Sequence, residues 1–403
     1  MNQQPAISTA LEKRIKRRVV SRPQTFFAAT APGLEPLCFA EIMALNHSPA
    51  QASVVPGGVE FTGRLHDCYR FNLHLRTANR ILMRINAFRA VNFPQLEKCL
   101  STIAWELYIR PGALPEIHVT ASKSRLHHTG AIAQRVLESI PLRLGDTGVA
   151  SSTPVPKLFI RVVSDRFVVS IDSTGAHLYK RGVKTQGHAA PIRETLAAAA
   201  LILAGHQPGA LLFDPMCGSG TFSIEAAMMA AGVPPGWYRS FAFMDWPAFR
   251  LGRWLHIRRE AGADFTIPSV PTIFSSDIRY DACRELKRVL LARDLAAPVA
   301  VSCRDFFDFT APTARPSKRN EQQTDSTPGL VVINPPYGMR LGAARESRDL
   351  FTEICSKLRH DFARWRFAII GPAKWAHGRL PLTFKQHRLM HGGLSLRLFT
   401  GRV

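Results

Sequence analysis

Long apolar runs are missing from this 403-residue sequence: the best candidate, Leu196 to Ala204, stops at Gly205-His206, well short of the roughly 18 residues a spanning helix needs. The basic start, with Lys13, Arg14, Lys16, Arg17 and Arg18, is not followed by the apolar stretch of a secretory signal. Cysteine is scarce and scattered. Its seven positions form no C-x-x-C pair and no metal-type spacing with histidine, so they read as reduced, mostly buried thiols. His387 and His391 stand four apart without an acidic companion and ahead of Gly392-Gly393, which favours surface or packing roles over metal binding. No metal is expected. Acidic residues are also short, 30 Asp and Glu against 52 Lys and Arg, leaving a formal charge of +22. That excess favours a polyanionic partner: RNA, DNA or an anionic membrane surface. A cytoplasmic protein, working as a monomer, is the simplest expectation.

What is present divides into three stretches. Residues 1–24 are polar and basic without apolar periodicity, which predicts a disordered arm that either touches phosphate or is merely solvated. From Phe26 to about Ser173 strands and helices mix: a strand at Phe26 to Thr30, a helix at Leu34 to Leu45, a hairpin around Gly57-Gly58, a helix at Leu65 to Leu75. Further strands are predicted at Arg80 to Ala87, Glu116 to Ser122, Leu158 to Ser164 and Phe167 to Asp172. Lys123, Arg125 and Arg135, with Lys180 and Arg181 further on, are interleaved with aromatic and hydroxyl residues and form a candidate RNA-binding face, or an ordinary solvated one.

From about Ala190 the rhythm alternates: strands at Leu211 to Asp214, Thr272 to Asp277, Val299 to Asp305, Leu330 to Asn334 and Phe367 to Ile370, with helices at Thr221 to Ala231, Tyr280 to Arg293 and Ser347 to Phe362. Alternation of this kind predicts an α/β, doubly wound parallel sheet, closed by a hairpin around His391-Gly392-Gly393. Pro234 to Ile267, with Trp237, Trp246, Trp254 and many arginines, is an insertion that faces nucleic acid or packs as a cap. Residues 310–328, rich in Pro, Ser, Thr and Gln, read as a flexible surface insertion.

Two motifs carry chemistry. Asp214-Pro215-Met216-Cys217-Gly218-Ser219-Gly220-Thr221 sits where a strand gives way to a helix, and open parallel sheets bind ligands at the carboxyl ends of their strands. Gly218 and Gly220 permit a tight turn and close backbone approach. A P-loop needs Lys after its last glycine, and Thr221-Phe222 follow instead. A dinucleotide fingerprint and a purely structural turn remain open at this point. Asp277, followed by Ile278 at the next strand end, can bridge vicinal ribose hydroxyls, and Asp305 can meet an adenine amino group; either can equally cap a helix.

The second motif is Asn334-Pro335-Pro336-Tyr337-Gly338, directly after Leu330 to Ile333. A base amine is a poor nucleophile because its lone pair is delocalised into the ring. Two acceptors aimed at its hydrogens, the Asn334 side-chain oxygen and the Pro335 carbonyl, draw it toward tetrahedral geometry and direct the lone pair at a methyl sulfonium. Pro335 and Pro336 hold those acceptors in place, and Tyr337 supplies a stacking face for the base. The expected cofactor is S-adenosylmethionine, and the displacement needs no metal.

On these residues the chain resembles the bacterial 23S rRNA guanine-N2 methyltransferase family. Tyr179-Lys180-Arg181-Gly182 and Ala190-Pro191-Ile192-Arg193-Glu194-Thr195 resemble that family's approach to the cofactor site, and Phe27 to Glu35 resembles the opening of its ferredoxin-like domain. The resemblance implies a ferredoxin-like part over 25–64, a THUMP RNA-binding domain over 65–175 and a Rossmann-like class I methyltransferase domain over 176–403. It implies cofactor contacts from Pro191, Arg193, Glu194, Thr195, Asp214, Pro215, Cys217, Gly218, Ser219, Gly220, Thr221, Asp277, Ile278, Asp305 and Asn334. Catalysis would fall to Asn334, Pro335, Pro336 and Tyr337. Arg279 stands where that family often has an acidic residue, and the second methyltransferase fused to many members is not expected here. Other assignments are tRNA guanine-N2 methylation, N6-adenine methylation of DNA, and a non-catalytic ribosome-assembly role.

Overall fold

The computed structural model describes residues 8–45, 51–110, 112–140, 155–183, 192–268, 270–311, 328–336, 343–376 and 382–403. In chain order the first elements are α1 (Thr9–Ile15), β1 (Gln24–Thr30), α2 (Glu35–Ala44), β2 (Gln51–Val55), β3 (Gly58–Gly63), α3 (Leu65–His74), β4 (Ala78–Arg89), α4 (Phe93–Ser101), β5 (Glu116–Ser122), α5 (Thr129–Ser139), β6 (Lys157–Val163) and β7 (Arg166–Asp172). There follow α6 (Glu194–Leu203), β8 (Leu212–Asp214), α7 (Thr221–Ala230), α8 (Leu251–Ala263), β9 (Ile273–Asp277), α9 (Tyr280–Leu291), β10 (Val299–Cys303), β11 (Leu330–Ile333), α10 (Ala343–Asp361), β12 (Arg366–Pro372), β13 (Phe384–His391) and β14 (Leu394–Arg402). The chain divides into two compact units. One comprises Met1–Thr30, Cys38–Leu178 and Arg239–Arg259; the other comprises Ala31–Leu37, Tyr179–Tyr238 and Glu260–Val403.

The first unit is built on a sheet ordered β2-β3-β1-β4-β7-β6-β5, antiparallel except for the β5–β6 pair. Val55 pairs with Gly58, leaving Pro56-Gly57 as a two-residue hairpin turn with Gly57 at φ +87°. Helix α4 begins with Asn92, whose side chain accepts from the Gln95 N–H at 3.0 Å, and buries Leu96 and Leu100 on one face. One expectation changes here and one open choice is decided. The arm expected to be disordered over 1–24 is helical from Thr9 to Val20: the Ser8 hydroxyl caps the Leu11 N–H, and Ile15 and Val19, four apart, are fully buried. Two apolar residues among so many cations are too few to register as a periodic pattern. The insertion after Pro234 packs rather than standing open, since Phe243 stacks on Tyr69 at 4.4 Å and Trp254 is buried edge-on to the same ring.

The second unit carries the order β10-β9-β8-β11-β12-β14-β13, parallel from β10 to β12 and antiparallel at β14 and β13. Strands β8 and β11 are buried along their whole length, as their unbroken apolar runs require of central parallel strands. Helices run from the ends of β8 and β9 on one side, and β11 with β12 extends the other. The order therefore reverses between β8 and β11, and ligand crevices form beyond the carboxyl ends of strands at such a point. The 310–328 insertion falls between β10 and β11; residues 312–327 of it lie outside the described residues.

Candidate active site

The carboxyl ends of β8, β9, β10 and β11 open onto a cavity of about 900 Å³, a size typical of cofactor sites. Pro215, Cys217, Gly218, Ser219 and Thr221 line it from the turn after β8, Asp277 and Ile278 from the end of β9, Asp305 from beyond β10, and Asn334, Pro335 and Pro336 from the end of β11. Residues from four separate strands, expected from their spacing in sequence, thus share one wall.

The glycine turn is fixed by its backbone. Cys217 N–H donates to the Ser276 carbonyl at 2.9 Å, tying the turn to β9, and Gly220 N–H donates to the Cys217 carbonyl at 2.7 Å. Gly220 lies at φ +74°, and a Cβ there would stand 2.3 Å from Leu286 of α9, so this glycine serves the packing of α7 against α9. Gly218, at φ +51°, has open space where its Cβ would be and faces the cavity. Only the second of these is the close-approach glycine foreseen from the sequence.

Asp277 holds this turn from across the sheet: its carboxylate accepts from Gly218 N–H at 2.8 Å and from Arg279 N–H at 3.0 Å. Asp305 caps the short 3-10 turn Phe306–Asp308, one oxygen accepting from Phe307 N–H at 3.0 Å. Its capping and cavity-lining positions coincide. Asp214 lies beneath the wall rather than in it, 1% exposed, where Ser223 Oγ donates to Oδ2 at 2.6 Å and Ser275 Oγ donates to Ser223 at 2.7 Å. A hydrogen bond with Cys283, aided by burial, pushes the Cys217 thiol well above its ordinary range. It therefore faces the cavity as a neutral thiol, which argues against a covalent cysteine step.

Asn334 supplies the most telling atom. Its Oδ1 is buried and has no hydrogen-bond partner among the described residues, although leaving a buried acceptor unsatisfied costs about 1–3 kcal/mol. An acceptor held this way at the cavity wall suits an incoming N–H donor. Tyr337 and Pro191 lie outside the described residues.

Five expected cofactor residues do not line the cavity: Asp214 and Gly220, described above, and three at the start of α6. Thr195 is buried in α6, Glu194 opens that helix, and Arg193 stacks on Tyr179 with its guanidinium carbon 4.9 Å from the ring centre. Arg193 still bears on the cavity through His391, whose imidazole is held below its ordinary value by burial and then by that charge. Among the expected RNA contacts, Lys123, Arg125 and Lys180 are exposed, and Arg135 is half-buried, pairing with Glu97 at 3.0 Å. Arg181 is corrected: it is buried against Glu225 of α7 at 2.8 Å and stands as an interior ion pair, out of reach of phosphate.

Sequence reasoning missed Ile192, Met216, Phe222, Arg279, Phe306, Phe307, Leu350, His391 and Leu394, which complete the lining. Phe306 and Phe307 adjoin Asp305 and were within reach of the motif. His391 and Leu394 flank the β13–β14 turn, and only the docking of that hairpin brings them here.

Known proteins are similar to this chain over most of its length. Residues 181–379 match the family model described as RMKL-like, methyltransferase domain (UPF0020), which makes the second unit a methyltransferase domain. Residues 25–82 match the RlmL ferredoxin-like domain. The chain thus carries an RMKL-like methyltransferase domain and an RlmL ferredoxin-like domain. It is 32% identical over 394 residues to the ribosomal RNA large subunit methyltransferase K/L of Methylococcus capsulatus, covering 93% of this chain and 50% of that protein. The chain thus spans about half the length of that relative. With slr0064 of Synechocystis it shares 28% identity over 380 residues, 93% of this chain and 95% of that one. The crystal structure of SMU.472 complexed with SAH superposes with a TM-score of 0.79 at 27% identity, covering 94% of this chain and 98% of that one.

Proposed function

We propose that the protein transfers a methyl group from S-adenosylmethionine to the exocyclic N2 amine of a guanosine in 23S rRNA. The single observation that carries the amine chemistry is the buried, unpartnered Oδ1 of Asn334 at the cavity wall, with Pro335 and Pro336 beside it. The choice of 23S rRNA is supported by the Methylococcus relative named as a large-subunit rRNA methyltransferase, and the choice of guanine N2 by the resemblance of its motifs. SAH in the SMU.472 structure supports the cofactor.

The residues present fit that cofactor. Asp277, oriented by the Gly218 and Arg279 amides, is placed for ribose hydroxyls; Asp305, with Phe306 and Phe307 next to it, is placed for the adenine. Bound there, S-adenosylmethionine supplies an electrophilic methyl group. Asn334 Oδ1 and the Pro335 carbonyl accept the amine hydrogens and keep the lone pair pointed at that group. Tyr337 stacks on the target base. Of the 65–175 stretch read as a THUMP domain, the part beyond the ferredoxin-like match, 83–175, presents RNA, with Lys123 and Arg125 on its surface and Lys180 beyond it, in the cytoplasm and without metal or membrane. Among the described residues no helix is long and apolar enough to cross a membrane.

The test is to incubate the protein and labelled cofactor with 23S rRNA, tRNA and DNA, and to identify the methylated nucleoside by mass spectrometry. N2-methylguanosine from 23S rRNA is expected. Label confined to tRNA overturns the choice of polymer, N6-methyladenosine overturns the choice of base, and no transfer to any of the three overturns the enzymatic reading.

A further inference from the structure

Outside the active site, the first unit holds a second cavity, of about 490 Å³, lined by Arg17, Arg18, Arg22, Asn86, Thr102 and Tyr108 among others. The three arginines are exposed, and among the described residues no carboxylate forms an ion pair with any of them. Arg14, one turn earlier, is by contrast neutralised by Glu106 at 2.6 Å. Three like charges gathered at one concavity repel each other, so the arrangement gains free energy when an anion enters.

The scaffold beneath them is specific. Ile15 and Val19 anchor the helix in the core, and the turn after α1 widens to a π-helix over Lys16–Val20, closed by Ser21 N–H donating to the Lys16 carbonyl at 2.9 Å. Such widened turns are uncommon and concentrate at functional sites. Gln24 then fastens the far end, its side-chain amide donating to the carbonyls of Arg18, Val19 and Arg22 at 3.0, 3.2 and 3.3 Å. On the facing side, a register shift in β4 between Arg84 and Asn86 leaves Ile85 without a partner on β7, and Ile85 and Asn86 both line the cavity. Burial pushes the Tyr108 phenol up and nearby Arg18 draws it part of the way back, leaving a neutral hydroxyl donor next to the cations.

We propose that this cavity binds a phosphodiester group of the RNA substrate, a second contact apart from the methyl-transfer cavity; the identity of the polymer rests on the reading above. Permanently charged, forked donors with hydroxyl and amide groups between them match the several acceptor oxygens of a phosphodiester. An anionic bilayer fits less well. A helix that docks on lipid presents an apolar face, and the apolar Ile15 and Val19 of this segment are buried inward. These arginines also precede the 25–82 stretch matched by the ferredoxin-like model, so no matched domain includes them.

The full-length protein with Arg17, Arg18 and Arg22 all changed to Ala tests the assignment, binding being read by fluorescence anisotropy on a 23S rRNA fragment across a potassium chloride series. Gln24 grips backbone carbonyls only, so the turn survives these changes. Three phosphate contacts on single-stranded RNA contribute roughly a hundredfold in affinity at about 0.1 M salt and about two units of slope in log affinity against log salt. A loss of that order, with a matching flattening of the slope and unchanged cofactor affinity, is expected. Changing all three to Lys keeps the slope. Should the alanine variant fold poorly, Arg18→Glu alone produces a smaller loss in the same direction. Unaltered RNA affinity and slope overturn the proposal, as does a defect confined to phosphatidylglycerol vesicles. RNA binding that fails in the variant while the native protein methylates no nucleic acid upholds this site and removes the methylation reading instead.

Discussion

His206 shows how much one buried side chain ties this fold to pH. It is 4% exposed, neither ring nitrogen has a hydrogen-bond partner among the described residues, and burial, followed by the charge of Arg366, pushes its pKa down to about 4. In the unfolded chain the imidazole titrates near its ordinary value of about 6.5. Acid therefore protonates the unfolded chain first: the stability tied to this group is whole above about pH 6.5 and is lost as pH falls through the folded value. The loss is about 3 kcal/mol. Urea unfolding of the native protein and of His206→Leu at pH 7.5 and 4.5 measures it, and the variant should lose that much less on acidification. Equal losses would mean that other groups govern the acid limb.

At the scale of elements, α7 illustrates what pattern reading reaches and where it stops. The helix itself and the glycine turn before it were legible from the apolar strand, the Gly-Ser-Gly step and the apolar run that follows. The roles of Ser223 and Glu225 were not: both are buried in a helix without a polar face, and their partners, Asp214 with Ser275 and Arg181, come from other segments. A lone buried Glu looks like an error in one sequence until its cation is found. For the same reason Arg181 reads as a surface cation from its basic neighbours. Glu225→Gln removes one charge of an enclosed pair and should cost about 3–5 kcal/mol, whereas replacing both partners by apolar residues of similar volume should cost little or nothing. Chemical denaturation of the single and double variants separates the two. A single variant as stable as the native protein would show that water compensates the charge.

Strands and central helices were legible because period-two and period-3.6 apolar patterns act locally, as in β5, foreseen at Glu116 to Ser122 and found at Glu116–Ser122. The short N-terminal helix was not, having only Ile15 and Val19 to mark its buried face. The hairpin tip was legible as a turn but not as a cavity wall, because His391 and Leu394 reach the site only through the antiparallel return of β14 against β12.

At the scale of the molecule, a sheet supplies the candidate active-site crevice in one unit, and the other unit offers exposed cations at Lys123 and Arg125 and a concave trio at Arg17, Arg18 and Arg22. Under the proposed function, the +22 charge of the chain gives this division a common sense: electrostatic attraction would gather the polyanion, and a small number of fixed acceptors would act on one base. The central claim concerns those acceptors. Preorganised polar groups aimed at developing charge typically contribute about 10²–10³ in rate. The most direct measurement is the single-turnover methylation rate of Asn334→Ala, taken together with calorimetric affinity for S-adenosylmethionine. A rate at least about a hundredfold lower with cofactor affinity nearly unchanged is expected; a near-native rate would contradict the role assigned to Asn334.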